Sequence, residues 1–201
     1  MTGILNVVLA GVGGQGIVSL ANVIANAALE KGTGIIVAET HGLSQRGGSV
    51  IVHVRLGEAE APLIPEGEGD VMLALDPLEA ARYAHYLKPG ALVFMEEKVT
   101  PPPLPGVKPP KTIEVAEALE DVGLRVVLVP AIRRAKELGN PLGANVYMLG
   151  AALSSGVFDG FIDVESVEAA IRRSLKKPEK NIAVLRAAIE ETRASMSISK
   201  P

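Results

Sequence analysis

The chain of 201 residues contains no cysteine. It therefore cannot form a disulfide, bind zinc through thiolates or hold an iron–sulfur cluster on cysteine ligands. Aromatic residues are also scarce, at 3%, although 48% of the chain is hydrophobic. The core must therefore consist mainly of alanine, valine, leucine and isoleucine, a composition typical of helices packed closely on a buried sheet.

Neither a strong net charge nor a long apolar segment is present. The formal net charge is −3, which gives no basic surface for nucleic acid. No segment approaches 18 uninterrupted apolar residues, and no basic region precedes the apolar run Ile4–Ala10 as in a signal peptide. We therefore expect a cytoplasmic protein that has neither nucleic acid nor a membrane as a partner.

Apolar runs alternate with helical patterns along most of the chain. This alternation predicts a three-layer α/β/α domain with a mainly parallel, mixed sheet, a Rossmann-like first β-loop-α-β unit and a helical C-terminal portion. Residues 50–56 alternate in polarity and predict an antiparallel strand at a sheet edge. The length favours one domain over residues 1–201, in which the six prolines of segment 101–110 form an extended connector.

The clearest motif is a glycine loop between the first strand and the first helix. Its residues Gly11, Gly13, Gly14, Gln15 and Gly16 follow the spacing G-x-G-x-x-G. Glycines allow a tight turn and a close backbone approach, and the free N–H groups of a helix start attract an anion. The loop therefore predicts an anion or substrate site, with tight packing of helix on sheet as the competing explanation.

Two other functions remain open for this loop. Glu39, at the end of the second predicted strand, has the position at which a Rossmann domain binds a ribose hydroxyl, which favours an NAD(P)-binding oxidoreductase or sensor. The spelling G-x-G-G-x-G also resembles that of adenylating enzymes, but these use a cysteine nucleophile or a cysteine zinc site that the chain lacks.

A second polar loop follows Glu39. It concentrates six candidate ligand or partner residues: His41, Ser44, Gln45, Arg46, Gly47 and Gly48. Arg46 can present a bidentate fork to a carboxylate or phosphate, and the paired glycines can expose consecutive N–H donors. A plain polar connection is the alternative. Asn145, among apolar neighbours, must bond within the core or face a cleft, and the three dispersed histidines predict no metal site.

The two loops together carry a family resemblance. Residues 11–32 and 39–57 resemble the gamma-type domain of pyruvate and related 2-oxoacid:ferredoxin oxidoreductases, and Asp76–Ala80 and Asn145–Gly150 are similar to its indolepyruvate branch. The resemblance spans almost the whole chain. It implies a subunit, inactive alone, of a complex that converts an aryl 2-oxoacid such as indolepyruvate and coenzyme A into acyl-CoA, carbon dioxide and reduced ferredoxin.

The resemblance also implies where the cofactors lie. Thiamine diphosphate with Mg²⁺ and the [4Fe–4S] clusters belong to a larger alpha subunit, through which ferredoxin is reached. The absence of cysteine agrees independently, and no G-D-G motif followed by paired asparagines supports thiamine diphosphate binding here. The glycine loop and the second loop are then expected to face substrate, coenzyme A or the partner, with no residue assigned to direct acid–base catalysis.

Overall fold

A computed structural model describes residues 3–41, 47–101, 106 and 108–198, with the side chains at 41 and 196–198 excepted. The strands are β1 Ile4–Val12, β2 Ile35–His41, β3 Ser49–Gly57, β4 Gly69–Ala74, β5 Leu87–Glu96 and β6 Arg125–Val129. The α-helices are α1 Ile17–Glu30, α2 Pro77–Tyr83, α3 Thr112–Asp121, α4 Ala131–Glu137, α5 Ala144–Ser154, α6 Val164–Ser174 and α7 Pro178–Ile198, and a 3-10 turn spans Ala84–Tyr86.

The six strands form one mixed sheet in the order β2-β3-β1-β4-β5-β6. The pairings of β1 with β4, β4 with β5 and β5 with β6 are parallel, whereas β3 is antiparallel to both β1 and β2. The predicted mixed α/β sheet is confirmed. The prediction of β3 as an edge strand is wrong in one respect: β3 is antiparallel but lies inside the sheet, and β2 forms the edge.

Helices cover both faces of the sheet, as predicted for a three-layer fold. Alternate β1 residues show the division: Val7 and Leu9 pack with α1 and α4–α7, whereas Val8 and Ala10 pack with α2 and α3. All four are fully buried. This burial on both faces explains why β1 reads as a continuous apolar run, since parallel strands covered by helices need apolar side chains on each side.

The predicted helical C-terminal portion is confirmed, and it contains one helix that the sequence did not indicate. Helix α5 begins at Ala144, because Asn140 and Gly143 form a turn before it that is closed by Gly143 N–H donating to the Asn140 carbonyl at 2.8 Å. Helix α4 was missed, because its seven residues are too few for a clear periodic pattern. Within the described ranges, no helix is long and apolar enough to cross a membrane.

This topology defines the edge at which a ligand is expected. Strands β1, β4, β5 and β6 are parallel, so their carboxyl ends meet at one edge of the sheet. The glycine loop leaves β1 at this edge, and α4 follows β6 there. In open α/β sheets, ligands bind in the crevice outside the carboxyl ends of the strands.

Candidate functional site

The glycine loop is held tightly against helix α5. Gly16 has φ of 85°, a left-handed conformation that favours glycine. A Cβ at this position would lie 2.8 Å from Asn145 Nδ2, and that amide donates a hydrogen bond to the Gly16 carbonyl at 3.0 Å. The amide of Asn145 therefore has a hydrogen-bond partner within the fold, and its predicted role at a ligand cleft stays a prediction.

Gln15 closes the loop from inside. Its Oε1 accepts a hydrogen bond from Val12 N–H at 2.7 Å, and its Nε2 donates to Thr100 Oγ1 at 3.3 Å. A Cβ on Gly11 would lie 2.7 Å from the same Oε1. Because both ends of the amide are engaged, Gln15 shapes the loop and joins it to the segment after β5.

Asp76 continues this connection toward α2. Its Oδ2 accepts from Thr100 N–H at 2.7 Å, while its Oδ1 accepts from Leu78 N–H at 2.8 Å and caps the helix. The carboxylate is 1% exposed. One buried side chain thus fixes both the start of α2 and the segment that holds Gln15. Nothing in the sequence signals the contact with Thr100.

The two predicted loops meet in the fold. Gly13 N–H donates to the Gly48 carbonyl at 2.8 Å, and Gly47 N–H donates to the Gly13 carbonyl at 3.4 Å. The backbone of His41 pairs with Val50 at the end of β2. The His41 side chain and residues Ser44, Gln45 and Arg46 lie outside the described residues, so their predicted roles stay predictions.

The end of the second loop is attached to α2 by a polar cluster that the sequence did not reveal. Ser49 Oγ donates to Glu79, and Tyr83 Oη lies 2.6 Å from the same Oγ. Arg82 Nε donates to Glu79 Oε2 at 3.1 Å, and Glu79 is 5% exposed. The family resemblance includes Glu79 within Asp76–Ala80, but nothing in the spacing indicates that it meets a residue 30 positions earlier.

A cavity of about 390 Å³ lies beside the glycine loop. Its lining includes Gly14, Gln15, Gly16, Ser19, Asn145 and the apolar side chains of Leu75, Ile132 and Leu142. Leu142, on the turn before α5, is 91% exposed. No acidic or basic side chain belongs to the lining among the described residues. The cavity can bind and orient a ligand through amides and apolar contacts, but it offers no described group for proton transfer.

One titratable side chain close to this cavity has an altered proton affinity. Glu96, at the end of β5, is 1% exposed and accepts Ile132 N–H at 2.9 Å. Burial raises the pKa of Glu96 to about 7, with a smaller contribution from the charge of Glu97, although backbone N–H donors oppose the shift. Glu96 fixes the start of α4 beside Ile132 and is not part of the described cavity lining.

The histidine side chains that the structure describes, His53 and His85, make contacts within the fold. Burial lowers the pKa of His53, and its Nδ1 accepts Ile64 N–H at 3.3 Å. His85 contacts the Arg82 carbonyl at 3.2 Å and stacks on Tyr86. Among the described residues, no group of three histidine, aspartate, glutamate or cysteine side chains is placed to hold a metal ion.

Comparison with known proteins decides the family. The model of the pyruvate ferredoxin/flavodoxin oxidoreductase family matches residues 6–191. The chain belongs to this family. It is 44% identical over 175 residues to the indolepyruvate oxidoreductase subunit IorB of Archaeoglobus fulgidus, covering 86% of each chain. As a family member, it is a small subunit of a 2-oxoacid:ferredoxin oxidoreductase.

Solved structures agree with the fold of this family. The gamma subunit of a keto/oxoacid ferredoxin oxidoreductase from Geobacter sulfurreducens superposes with a TM-score of 0.68 at 22% identity, over 94% of this chain and 99% of that one. A 2-oxoglutarate:ferredoxin oxidoreductase from Magnetococcus marinus, solved with 2-oxoglutarate, coenzyme A and succinyl-CoA, has a TM-score of 0.69 at 22% identity. All of this chain is covered there, but only 32% of that longer one.

The position of Glu39 in this oxidoreductase subunit does not suit the NAD(P) alternative. A Rossmann domain places its ribose-binding acid on the strand beside β1. Here β3 separates β2 from β1, and Glu39 pairs with Val52 of β3. The Rossmann-like order β1, α1, β2 is therefore present along the chain. In the sheet, however, β1 and β2 are not neighbours, as a ribose contact would require.

Proposed function

We propose that this chain is the cluster-free subunit of an oxidoreductase for indolepyruvate or another aryl 2-oxoacid. In this proposal, a larger alpha subunit carries thiamine diphosphate, Mg²⁺ and the [4Fe–4S] clusters, and the assembled cytoplasmic complex forms acyl-CoA and reduces ferredoxin. The identity to the Archaeoglobus fulgidus subunit supports the substrate class. The absence of cysteine supports the assignment of the clusters to the other subunit, because this chain has no thiolate to bind one.

The cavity beside the glycine loop is the observation that carries the proposal. It lies at the carboxyl edge of the sheet, adjoins the second loop through Gly13 and Gly48, and has no described acid or base in its lining. Such a site fits a subunit that positions a ligand while another subunit supplies the reactive groups. We propose that both loops face the alpha subunit and coenzyme A, with residues 1–201 acting as one domain.

The exposure of Leu142 supports a partner at this edge. A leucine side chain that is 91% exposed gains about 1.5–3 kcal/mol when a partner buries it fully. Single exposed apolar side chains are common on protein surfaces, so we infer the interface from the position of Leu142 in the cavity lining together with Gly14. We therefore place the contact with the alpha subunit around Leu142 and the exposed Gly14.

Co-expression with the alpha subunit tests the proposal. We expect the two chains to co-purify, and we expect reduction of ferredoxin or a viologen dye to require indolepyruvate, coenzyme A and both chains. Turnover with pyruvate but not indolepyruvate would contradict the aryl substrate. Saturable NAD binding lost in Glu39→Ala, or ATP–pyrophosphate exchange by the chain alone, would favour one of the two alternatives from the sequence.

A pair of matched variants locates the interface. Leu142→Asp should weaken assembly at least about tenfold, because it would bury an unpaired carboxylate against the partner. Leu29→Asp is the control, since Leu29 is 64% exposed but lies at the opposite end of α1 from the glycine loop. Equal assembly by both variants, measured by titration of the alpha subunit, would refute this placement.

A further inference from the structure

A second cavity adjoins the one beside the glycine loop. It has a volume of about 370 Å³ and shares Ser19, Pro141, Leu142 and Asn145 with the first cavity. Its far side is formed by the connection between α6 and α7. One elongated ligand could therefore occupy both cavities.

Three lysines line the second cavity: Lys176 and Lys177 of this connection and Lys180 in the first turn of α7. None of them forms an ion pair within the described part of the chain, and no described acidic residue lines the cavity. Nearby basic residues of α6 are paired, Arg172 with Glu168 and Glu179, and Arg173 with Glu30. All three lysines are exposed, and no acidic side chain among the described residues of the lining pairs with them, so a bound anion would supply the missing counter-charge.

The backbone that presents these lysines is held in an unusual conformation. Lys177 is the one non-glycine residue with positive φ in the described chain, at 54°, and it precedes a proline, which further disfavours helical angles. Left-handed backbone costs an L-residue about 1–2 kcal/mol. Such strain persists where surrounding contacts impose it, often at ligand clamps.

A buried asparagine imposes that conformation. Asn181, 7% exposed, donates from Nδ2 to the Lys176 carbonyl at 3.0 Å and to the Lys177 carbonyl at 3.3 Å. Its Oδ1 accepts from Asn140 Nδ2 at 2.8 Å. The lysine segment is thereby attached to the same turn that carries Leu142, so the two cavities keep a fixed relation.

We propose that the second cavity binds the phosphate group of a small-molecule ligand whose remainder lies in the cavity beside the glycine loop. Lysine ammonium groups bind phosphate through charge-assisted hydrogen bonds, and three of them match a group carrying two negative charges. The net charge of −3 for the whole chain means that attraction must come from this local cluster. The inference rests on the proposed function in one respect, the identity of the ligand that carries the phosphate group.

Calorimetric titration of the full chain with inorganic pyrophosphate tests the cavity directly. We expect saturable binding that weakens with added salt. The variant Lys176→Gln/Lys177→Gln/Lys180→Gln should bind at least about tenfold more weakly. The control Lys98→Gln/Lys108→Gln/Lys111→Gln removes the same charge from the segment between β5 and α3 and should bind within about twofold of the wild type. Circular dichroism establishes that each variant is folded.

The source of the phosphate is found by comparing coenzyme A with its 3′-dephospho form. A preference for coenzyme A that disappears in the cavity variant would assign the phosphate to this cofactor. Pyrophosphate binding without that preference would assign the site to another phosphorylated ligand. The inference fails if pyrophosphate does not saturate, or if both triple variants lose binding equally. It also fails if the cavity variant still binds pyrophosphate normally but no longer binds the alpha subunit, since the lysines would then contact an acidic protein surface. Activity of the wild-type complex tests the proposed function separately.

Discussion

Gly14 and Gly16 both adopt positive φ, but only Gly16 is closely packed. Gly14→Ala should cost about 1–2 kcal/mol in the free energy of unfolding, because nothing lies within 4 Å of the new Cβ and only the backbone at φ of 101° is strained. Gly16→Ala should cost clearly more, about 3 kcal/mol or above, since its Cβ would also press on Asn145 Nδ2. Urea unfolding of the two variants measures the difference.

The double change Gly16→Ala/Asn145→Ala separates strain from crowding. Removing the Asn145 amide should recover part of the loss at position 16, but none of the loss caused by Gly14→Ala. Equal costs for the two single variants would show that the contact with α5 does not determine the residue at position 16.

The sequence predicted the glycine loop from spacing, but it did not reveal the partners of its residues. Gln15 contacts Thr100, which lies 85 positions later, and Asn145 contacts Gly16 across 129 positions. A local pattern indicates which backbone angles are needed, because those depend on neighbouring residues. It cannot show which distant side chain fills the space beside them. The same limit hid the cluster of Ser49, Glu79 and Tyr83.

At the scale of elements, Glu191 joins three helices. This α7 carboxylate accepts hydrogen bonds from Nε of Arg134 on α4, at 2.8 Å, and from Nη2 of the same arginine. It also accepts a hydrogen bond from the Tyr147 hydroxyl on α5, at 2.7 Å. The hydrogen bond from Arg134 is the main cause of a lowered pKa at Glu191. These contacts attach α4, the helix absent from the predictions, to α5 and α7.

Removing the hydroxyl of Tyr147 should loosen this junction. Tyr147→Phe should lower the free energy of unfolding by about 1–2 kcal/mol, because it deletes one hydrogen bond to a carboxylate while keeping the ring, which is 2% exposed. Tyr86→Phe is the matched control, since the Tyr86 hydroxyl bonds to no described residue, and it should change stability by less than about 0.5 kcal/mol. Chemical denaturation of both variants measures the contrast, and equal effects would contradict it.

Strand order was the part of the fold that the sequence could not supply. The alternation over residues 50–56 indicated a strand with one more polar face, and that face exists in His53 and Arg55. Both side chains are buried, however, because Arg55 bonds to the Ala61 carbonyl at 2.9 Å and His53 accepts Ile64 N–H. Polar residues buried by partners later in the chain resemble exposed ones in the sequence, so β3 was expected at the edge.

For the whole molecule, paired carboxylates and the buried Glu96 affect stability in opposite directions with pH. Hydrogen bonds from Lys31 and Arg186 lower the pKa of Asp163 and Glu168, so their stabilisation is present above the ordinary carboxyl pKa and is lost as pH falls. Glu96 has a raised pKa, so its folded form binds a proton that the unfolded form has released. The contribution of Glu96 to the free energy of unfolding is therefore greatest below pH 4.5 and is lost as pH rises to about 7.

Glu96→Gln should remove this pH dependence, because an amide cannot ionise but can still accept the Ile132 N–H. Relative to the wild type, the variant should gain on the order of 3 kcal/mol in the free energy of unfolding between pH 4.5 and pH 8. Glu117→Gln on the exposed side of α3 is the control and should show no such trend. Because His53 and the paired acids titrate in both proteins, the difference between wild type and variant isolates Glu96. A difference that stays constant across this range would mean that Glu96 ionises as an ordinary carboxyl, and that water or the backbone N–H donors at the start of α4 offset the cost of burying it.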